Sequence, residues 1–384
     1  MCTFLLALIY LAFISLGLPD SLLGSAWPAL RLSFDVPISY MGIVSMIISG
    51  GTICSSLMSE RLTKRFGTRI VTTVSIFVTA IAMFGFSSVT EFRQLCLWGI
   101  PYGLGAGAID SALNNYVALH YSSRHMSWLH CFWGVGTIIS PYIMSYAIAH
   151  SSWSGGYRIV SFIQLGIAVT MLITLPVWNV HKGQMDSENS GNVVGLGKAL
   201  KIKGVPSLLI GFFAYCAAES TVMLWASSYL SETKSLPEKD AAAFASLFFI
   251  GITAGRFISG FVSDKMGDRN MIRIGVAVAL AGVLPVLLPV KAELPALIGF
   301  VMIGFGCAPV YPSIIHATPS NFGAENSQAI IGIQMASAYI GTTFMPPVFG
   351  LIANHISIRL MPFYVALFLV LMIIMTERTF GMKK

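Results

Sequence analysis

Long apolar runs separated by short polar stretches recur from one end of the chain to the other. A membrane-spanning helix needs roughly 20 apolar residues, because lipid offers no partner to an unpaired backbone group. Twelve runs meet that length: 3–29, 38–59, 69–89, 93–118, 127–149, 157–179, 205–230, 241–262, 272–290, 294–315, 325–352 and 357–376. Most connections are short. The exception, His181 to Gly204, is rich in Ser, Asn, Gly and Lys and reads as a linker. The pattern predicts a six-helix half over 1–180, a cytoplasmic linker over 181–204 and a second six-helix half over 205–384, with no room for a soluble domain.

Composition agrees: 55% of the 384 residues are hydrophobic and 10% charged, with a mean hydropathy of +0.78, where a soluble domain is about one quarter charged. The expected class is an all-α integral membrane protein. Charge adds orientation, because Lys and Arg concentrate in cytoplasmic loops. With the first residue placed there, that side receives Arg61, Lys64, Arg65, Arg69, Arg124, Lys182, Lys198, Lys201, Lys203, Lys265, Arg269, Arg273, Arg378, Lys383 and Lys384. The other side receives Arg31, Arg93, Arg158, Lys234, Lys239, Lys291 and Arg359, and Arg256 lies inside a run. This split of 15 to 7 puts both termini in the cytoplasm and accounts for the net charge of +7 without nucleic acid. Cys2, Cys54, Cys96, Cys131, Cys216 and Cys307 form no CxxC pair or cluster with His and read as packing residues. The apolar start lacks a basic leader and reads as a retained first helix.

The halves repeat one another. "SERLTKRFGTR" (Ser59–Arg69) follows the second run and "SDKMGDRNMIR" (Ser263–Arg273) the eighth, with Glu60 and Asp264 offset by 204. "GLGAGAID" from Gly103 and "GFGCAPVY" from Gly304 are offset by 201, and Asp20 and Glu219 by 199. Parallel six-helix repeats are an architecture of secondary transporters that rock about a midplane site. "GFVSDKMGDR", Gly260 to Arg269, resembles the GxxxD(R/K)xGxR signature of the major facilitator superfamily, and stands where that superfamily carries its second copy. In the first copy Ser56 takes the glycine position, Glu60 replaces Asp, and extra residues precede Gly67. An acid at a helix C-terminal end is unfavourable unless cations answer it, and Lys265 and Arg269 are placed to do so for Asp264. Glu60, Arg61, Arg65, Arg69, Arg256, Asp264, Lys265 and Arg269 are therefore the candidate gating charges, the alternative being ordinary snorkelling. Arg256 either pairs with a carboxylate such as Glu219, or with one in the other half, or snorkels.

Ionisable residues far from an interface are the candidate functional groups. At about 1.5 Å per residue, Asp20 lies roughly 6 Å to the periplasmic side of its helix centre, Asp110 roughly 7 Å to the cytoplasmic side, and Glu219 near the middle of helix seven. The first two are stacked in depth. Carboxylates in low dielectric can exchange protons near physiological pH, so two at different heights suit a proton relay; the alternative is satisfied packing acids. Pro19 removes a backbone donor beside Asp20 and frees a carbonyl one turn earlier. Gly17, Asp20, Gly24 and Trp27 share a face that is either close packing or a cavity wall. Gly103, Gly107, Asp110 and Asn114 form a second stripe, in which the glycines are expected in helix contact and the two polar residues facing a cavity.

"GAIDSALNN", Gly107 to Asn115, resembles the fourth-helix motif of the fucose:proton symporter branch of the superfamily, with Asp110 at its glutamate, Asn114 at its asparagine and Asn115 in place of proline. "LHCFWGVGTIISP" (Leu129–Pro141) and "GFGCAPVYPS" (Gly304–Ser313) resemble that branch's fifth and tenth helices. The resemblance implies alternating access between two six-helix halves, proton coupling by the acids on helices one and four, Asp20 and Asp110, and no cofactor, the proton being the coupling ion. Candidate solute contacts are Asp110, Asn114, His130, Glu219, Gln328 and Gln334 for hydroxyls, and Trp27, Trp133, Tyr215 and Tyr311 for the apolar face of a sugar ring. The expected function is proton-coupled symport of a small polar solute, a monosaccharide such as fucose or another hexose. The alternative is proton-driven drug or metabolite efflux, against which "GTIISPYIM" lacks the glycine-proline-glycine repeat of antiporters. No GxxxxGK[ST], HExxH or GxSxG occurs, nor a repeated filter or charged ring, so neither an enzyme nor a channel is expected. The partners implied are a small-molecule substrate and the bilayer, not nucleic acid, for a monomeric multi-pass protein of the inner (cytoplasmic) membrane.

Overall fold

The computed structural model describes residues 2–37, 40–181, 193–236, 238–289 and 292–382. Lys182, Lys291, Lys383 and Lys384, the side chain of Lys239, and residues 182–192 of the expected linker lie outside the described residues. The long elements are all helices. Span one is Cys2–Asp20 with Leu22–Ser33; spans two to six are Tyr40–Phe66, Thr68–Ser88, Phe92–His120, Ser123–His150 and Trp153–Ile173. Spans seven to nine are Val205–Lys234, Glu238–Met266 and Asp268–Leu287; span ten is Leu294–Cys307 with Val310–Phe322; spans eleven and twelve are Ala324–His355 and Met361–Gly381.

Among the described residues, eleven helical spans are long and apolar enough to cross a membrane. Phe92–His120 completes the twelve: it has 29 residues, but Arg93, Asp110, Asn114 and Asn115 dilute its apolar character. Several helices outrun their apolar stretch. Span two continues to Phe66 because its polar end makes helical pairs, with Lys64 3.1 Å from Glu60 and the Thr63 hydroxyl donating to the Ser59 carbonyl at 2.8 Å.

The chain falls into two compact units, Met1–Tyr116 with Leu129–Gly195, and Val117–Trp128 with Leu196–Lys384. The turn between spans four and five, with the start of span five, therefore belongs to the second unit.

In the first unit, two prolines and two glycines determine how spans one and five meet. Pro19 cannot donate to the Ser15 carbonyl, and span one breaks at Ser21. The Gln164 side-chain amide, 1% exposed on span six, donates to that carbonyl at 2.7 Å. Pro141 likewise leaves the Thr137 carbonyl on span five without its helical partner, and the Ser21 hydroxyl donates to it at 2.8 Å. The backbones approach this closely because residues 17 and 136 are glycines: a Cβ at Gly17 would run into the Trp133 carbonyl oxygen, and one at Gly136 into that of Ile14. Gln164→Leu keeps the bulk and removes the donor. It is expected to cost about 1–3 kcal/mol, read as a lower thermal unfolding midpoint in detergent; an unchanged midpoint would show that the Ser15 carbonyl does not depend on Gln164.

The repeat seen in the sequence is present, in a different register. Gly67 and Gly267 open spans three and nine with φ 78°, ψ 150° and φ 74°, ψ 155°, a conformation accessible to glycine and strained for other residues. The Gly67 N–H donates to the Thr63 carbonyl at 2.7 Å and the Gly267 N–H to that of Ser263 at 2.9 Å. These turns set the offset at 200 and lay Thr63 to Arg69 on Ser263 to Arg269 residue by residue. No extra residues precede Gly67, and the counterpart of Asp264 is Lys64 rather than Glu60, which matches Gly260. The first copy carries the opposite charge at the signature position. Helix contacts repeat as well: a Cβ at Gly103 would meet the Ile48 carbonyl of span two, and one at Gly304 the Phe248 carbonyl of span eight.

Candidate functional site

Polar groups of the first unit form a ladder with an acid at each end. Asp20, at the break in span one, has an exposed edge; it accepts from the Tyr102 hydroxyl at 2.6 Å and from Trp133 Nε1 at 2.8 Å. Tyr102 precedes Asp110 by eight residues, about 12 Å along span four, so the two acids are stacked in depth. Asp110 is 4% exposed and Asn114 fully buried. Asn114 Nδ2 donates to Asp110 Oδ1 at 2.7 Å and to the Asp110 carbonyl at 2.9 Å, which leaves the Asn114 side-chain oxygen as an acceptor. His130 Nε2 lies 3.1 Å from that oxygen, so the imidazole carries a proton on Nε2. Phe13 packs edge-on to His130 at 5.5 Å, and Trp133 stands one turn further along span five.

Asp110 and Asn114 thus point into a closed cluster, not at the open wall expected of them, because the His130 ring occupies the space beside the amide. The stripe on span one divides: Gly17 is a helix contact, Asp20 a bonded acid, and Trp27 a buried side chain, while a Cβ at Gly24 would touch nothing.

In the second unit Arg256 takes Glu219 as its partner, Nη2 to Oε1 at 3.4 Å, with side chains 5% and 12% exposed. Two buried charges cost several kcal/mol each by rough estimate unless they answer one another. One turn before Glu219, the buried Tyr215 hydroxyl donates to the Cys307 carbonyl at 2.9 Å, where span ten is interrupted. Tyr311, just past the interruption, has its ring 6.1 Å from that of Tyr215. Its hydroxyl lies 3.3 Å from the Met335 sulfur. Gln334 accepts from the Thr318 hydroxyl at 2.9 Å, and Gln328 is buried on the same helix. The structure therefore gathers Tyr215, Glu219, Arg256 and Tyr311 near one helix break, and places Gln334 on Thr318.

The expected partners of Asp264 are not the ones it has. Lys265 is exposed, and Arg269 bonds Glu377 at 2.6 Å, as Arg273 also does at 2.6 Å. Asp264 instead accepts from the Arg124 backbone N–H at 2.9 Å and the Ser122 hydroxyl at 3.1 Å, with Arg124 Nε at 3.3 Å. It lies at the start of span five, where unpaired N–H groups favour an acid. Gly260, one turn earlier, seats the Trp128 indole, which a Cβ would strike. The signature's glycine and aspartate both receive the turn Val117–Trp128. Glu60 is also buried: besides Lys64 it accepts from the backbone N–H groups of Val194 at 2.6 Å and Gly195 at 3.0 Å. Arg61 and Arg65 are exposed, and Arg69 lies in the first turn of span three.

Tyr102, Gln164, Arg124, Asp268 and His316 were not legible as functional. The proline at 19 was the one signal that some distant donor must exist; nothing in the chain order identifies it as Gln164.

Comparison with known proteins gives the arrangement a family. The chain is 26% identical over 369 residues to the uncharacterized transporter y4wD of Sinorhizobium fredii, covering 91% of each. It is 24% identical over 284 residues to Bypass of stop codon protein 6 of Saccharomyces cerevisiae, over 67% of this chain and 56% of that protein. Other relatives, at 20 to 24% identity, bear names as different as a glucose/mannose transporter of Bacillus subtilis and a probable nitrate/nitrite antiporter of Thermus thermophilus. The fold matches the E. coli fucose:proton symporter FucP with a TM-score of 0.78 at 15% identity, over 97% of this chain and 98% of that one. It matches the proton:xylose symporter XylE with a TM-score of 0.79 at 13% identity, over 96% and 94%. The Major Facilitator Superfamily profile matches residues 9–325 and, in a second alignment, 208–381. Twelve helices, a repeated glycine turn and a profile match over most of the length together place this chain in the Major Facilitator Superfamily of membrane transporters.

Proposed function

We propose that this transporter is a proton-coupled symporter of a small polar solute, a monosaccharide of the hexose class, working by alternating access. The observation that carries the reading is the polar series of the first unit: an acid with an exposed edge, bonded by the Trp133 indole, and, about 12 Å along span four, a buried acid bonded through Asn114 to His130, one turn from Trp133 on span five. The donors on Asp20 and Asp110 named above are neutral: a phenol and an indole on the first, an amide on the second. Glu219 differs, since its proton would free Arg256. Asp110 exchanges the proton as solute binds, and Asp20 relays or gates it. Asn114, His130 and Trp133 supply hydroxyl and ring contacts. Proton and solute shift one another's affinity by one coupling free energy, so solute affinity depends on pH.

The fold shared with FucP and XylE supports this reading, as do the Lys and Arg asymmetry for an inner-membrane protein with cytoplasmic termini and a self-sufficient twelve-helix unit for a monomer. Asp264, with its hold on the turn Val117–Trp128, is the gating residue of the signature. The test is uptake of radiolabelled fucose, glucose and galactose into proteoliposomes under an imposed pH gradient. One sugar is expected to accumulate above equilibrium and to leak back when a protonophore collapses the gradient. If folded protein accumulates none, the sugar reading fails, and proton-driven export of cationic drugs from the same vesicles becomes the reading to test.

A further inference from the structure

Within the second unit, the turn Val117–Trp128 is fastened at a further point beyond the signature residues, and this fastening contains a histidine. His316 Nδ1 lies 2.7 Å from Asp268 Oδ2, and its Nε2 lies 3.1 Å from the Tyr121 carbonyl oxygen. The other oxygen of Asp268 accepts from the Ser123 hydroxyl at 2.6 Å. One imidazole and one carboxylate thus hold both Tyr121 and Ser123.

The proton count follows from the acceptors. A backbone carbonyl has no proton to give, so Nε2 must carry one. The contact between Nδ1 and Asp268 then needs a second proton, either on the ring or on the carboxyl group. A neutral ring beside an ionised Asp268 has a single proton for two acceptors. One contact would set lone pair against lone pair, and a buried acceptor facing an acceptor is costly.

The charged groups around the ring are few. Asp268 comes from span nine and Asp264 from the end of span eight, and the turn itself brings Arg124 and His125. Arg269 and Arg273 of span nine are engaged by Glu377, Glu325 at the start of span eleven is bonded by Asn326, and Glu219 of span seven is held by Arg256. Residues 310–322 of span ten carry no charged group besides His316. With a proton on each ring nitrogen, both contacts of His316 are hydrogen bonds, one to Asp268 and one to the Tyr121 carbonyl. In the repeat register Thr68 stands where Asp268 does, so the first unit has no counterpart of this pair.

We infer that His316 and Asp268 form a proton-operated clasp on the turn Val117–Trp128: with the shared proton in place Tyr121 and Ser123 are held, and on its loss the turn is released. At the Trp128 seat on Gly260 the His125 ring stands 5.8 Å from the indole, a second titrating group of the turn, which the His125→Gln variant below separates from the clasp. The inference concerns the face read above as cytoplasmic and is independent of which solute is carried.

Hydrogen exchange of the full-length protein in lipid nanodiscs tests it, with rates across pH 6 to 8.5 corrected for the intrinsic pH dependence of amide exchange. Protection of the peptide covering Val117–Trp128 is expected to fall on the order of tenfold as pH rises, the worth of one charge-assisted hydrogen bond. His316→Gln and Asp268→Asn should exchange at the high-pH rate throughout, while His125→Gln keeps the step and spans seven and twelve stay protected. A step that survives in His316→Gln, or a wild-type turn equally protected at every pH, would overturn the clasp. Should His316→Gln not fold, the wild-type profile and Asp268→Asn decide the matter.

Discussion

Asp110→Asn is expected to abolish accumulation of the solute against its gradient while counterflow exchange continues. Asparagine at 110 keeps an oxygen for the Asn114 amide, which now donates at 2.7 Å, and fits the same buried volume, so the cluster with His130 should persist. What disappears is the carboxylate of the cluster, the group to which the proposed function assigns the coupling proton. A pH gradient of one unit is worth about 1.4 kcal/mol per proton, hence about a tenfold accumulation for a one-proton symporter; in the variant the ratio inside to outside should fall to one. Retained accumulation in Asp110→Asn would remove Asp110 from the coupling path and leave the polar ladder as packing. Loss of counterflow as well would make Asp110 a solute contact whose charge is needed for binding.

The second large effect is on stability. Arg256→Met leaves Glu219 buried without its cation, and breaking one side of a buried pair typically costs about 3–5 kcal/mol. Glu219→Gln should be comparably harmful, because it strands the arginine. The double variant Arg256→Met with Glu219→Gln is expected to recover most of that loss, since two neutral groups of similar size replace two charges that need each other. Thermal unfolding in detergent of the two singles and the double closes the cycle. If the double is as unstable as the sum of the singles, the 3.4 Å contact is incidental and each side chain is held by something else. Transport by a stable double variant would further show that this pair is structural, in contrast to the ladder of the first unit.

These two experiments separate carboxylates that the sequence presented alike. Asp20, Asp110 and Glu219 are each an acid within an apolar run, and depth along the helix distinguished the first two without revealing what surrounds them. In the structure Asp20 has a phenol and an indole, Asp110 an amide, and Glu219 a guanidinium. The signature after span eight behaves in the same way. Its letters were recognisable, yet the cations written beside Asp264 are occupied or exposed, and its partners come from a turn 140 residues earlier. Similarity of residue type pairs the acid Glu60 with the acid Asp264. The positive φ of Gly67 and Gly267 fixes the register instead, and that is a backbone property which residue similarity does not report.

Chain order alone determined the twelve spans, the six-plus-six repeat, the depth of the two acids, the glycine contacts of span four and the presence of a backbone defect at Pro19. Each is local: an apolar run of sufficient length must become a helix in lipid because no other conformation pairs its backbone, and proline removes a donor wherever it stands. Only the tertiary structure decided that Gln164 repairs the defect, that Lys64 stands at the position of Asp264, that Arg256 belongs to Glu219, and that His316 and Asp268 hold the turn after span four. Those pairings depend on the rotation and crossing of helices far apart in sequence, which are set by close packing of many side chains at once; a hydrophobic pattern specifies which face is buried and leaves open which neighbour it meets.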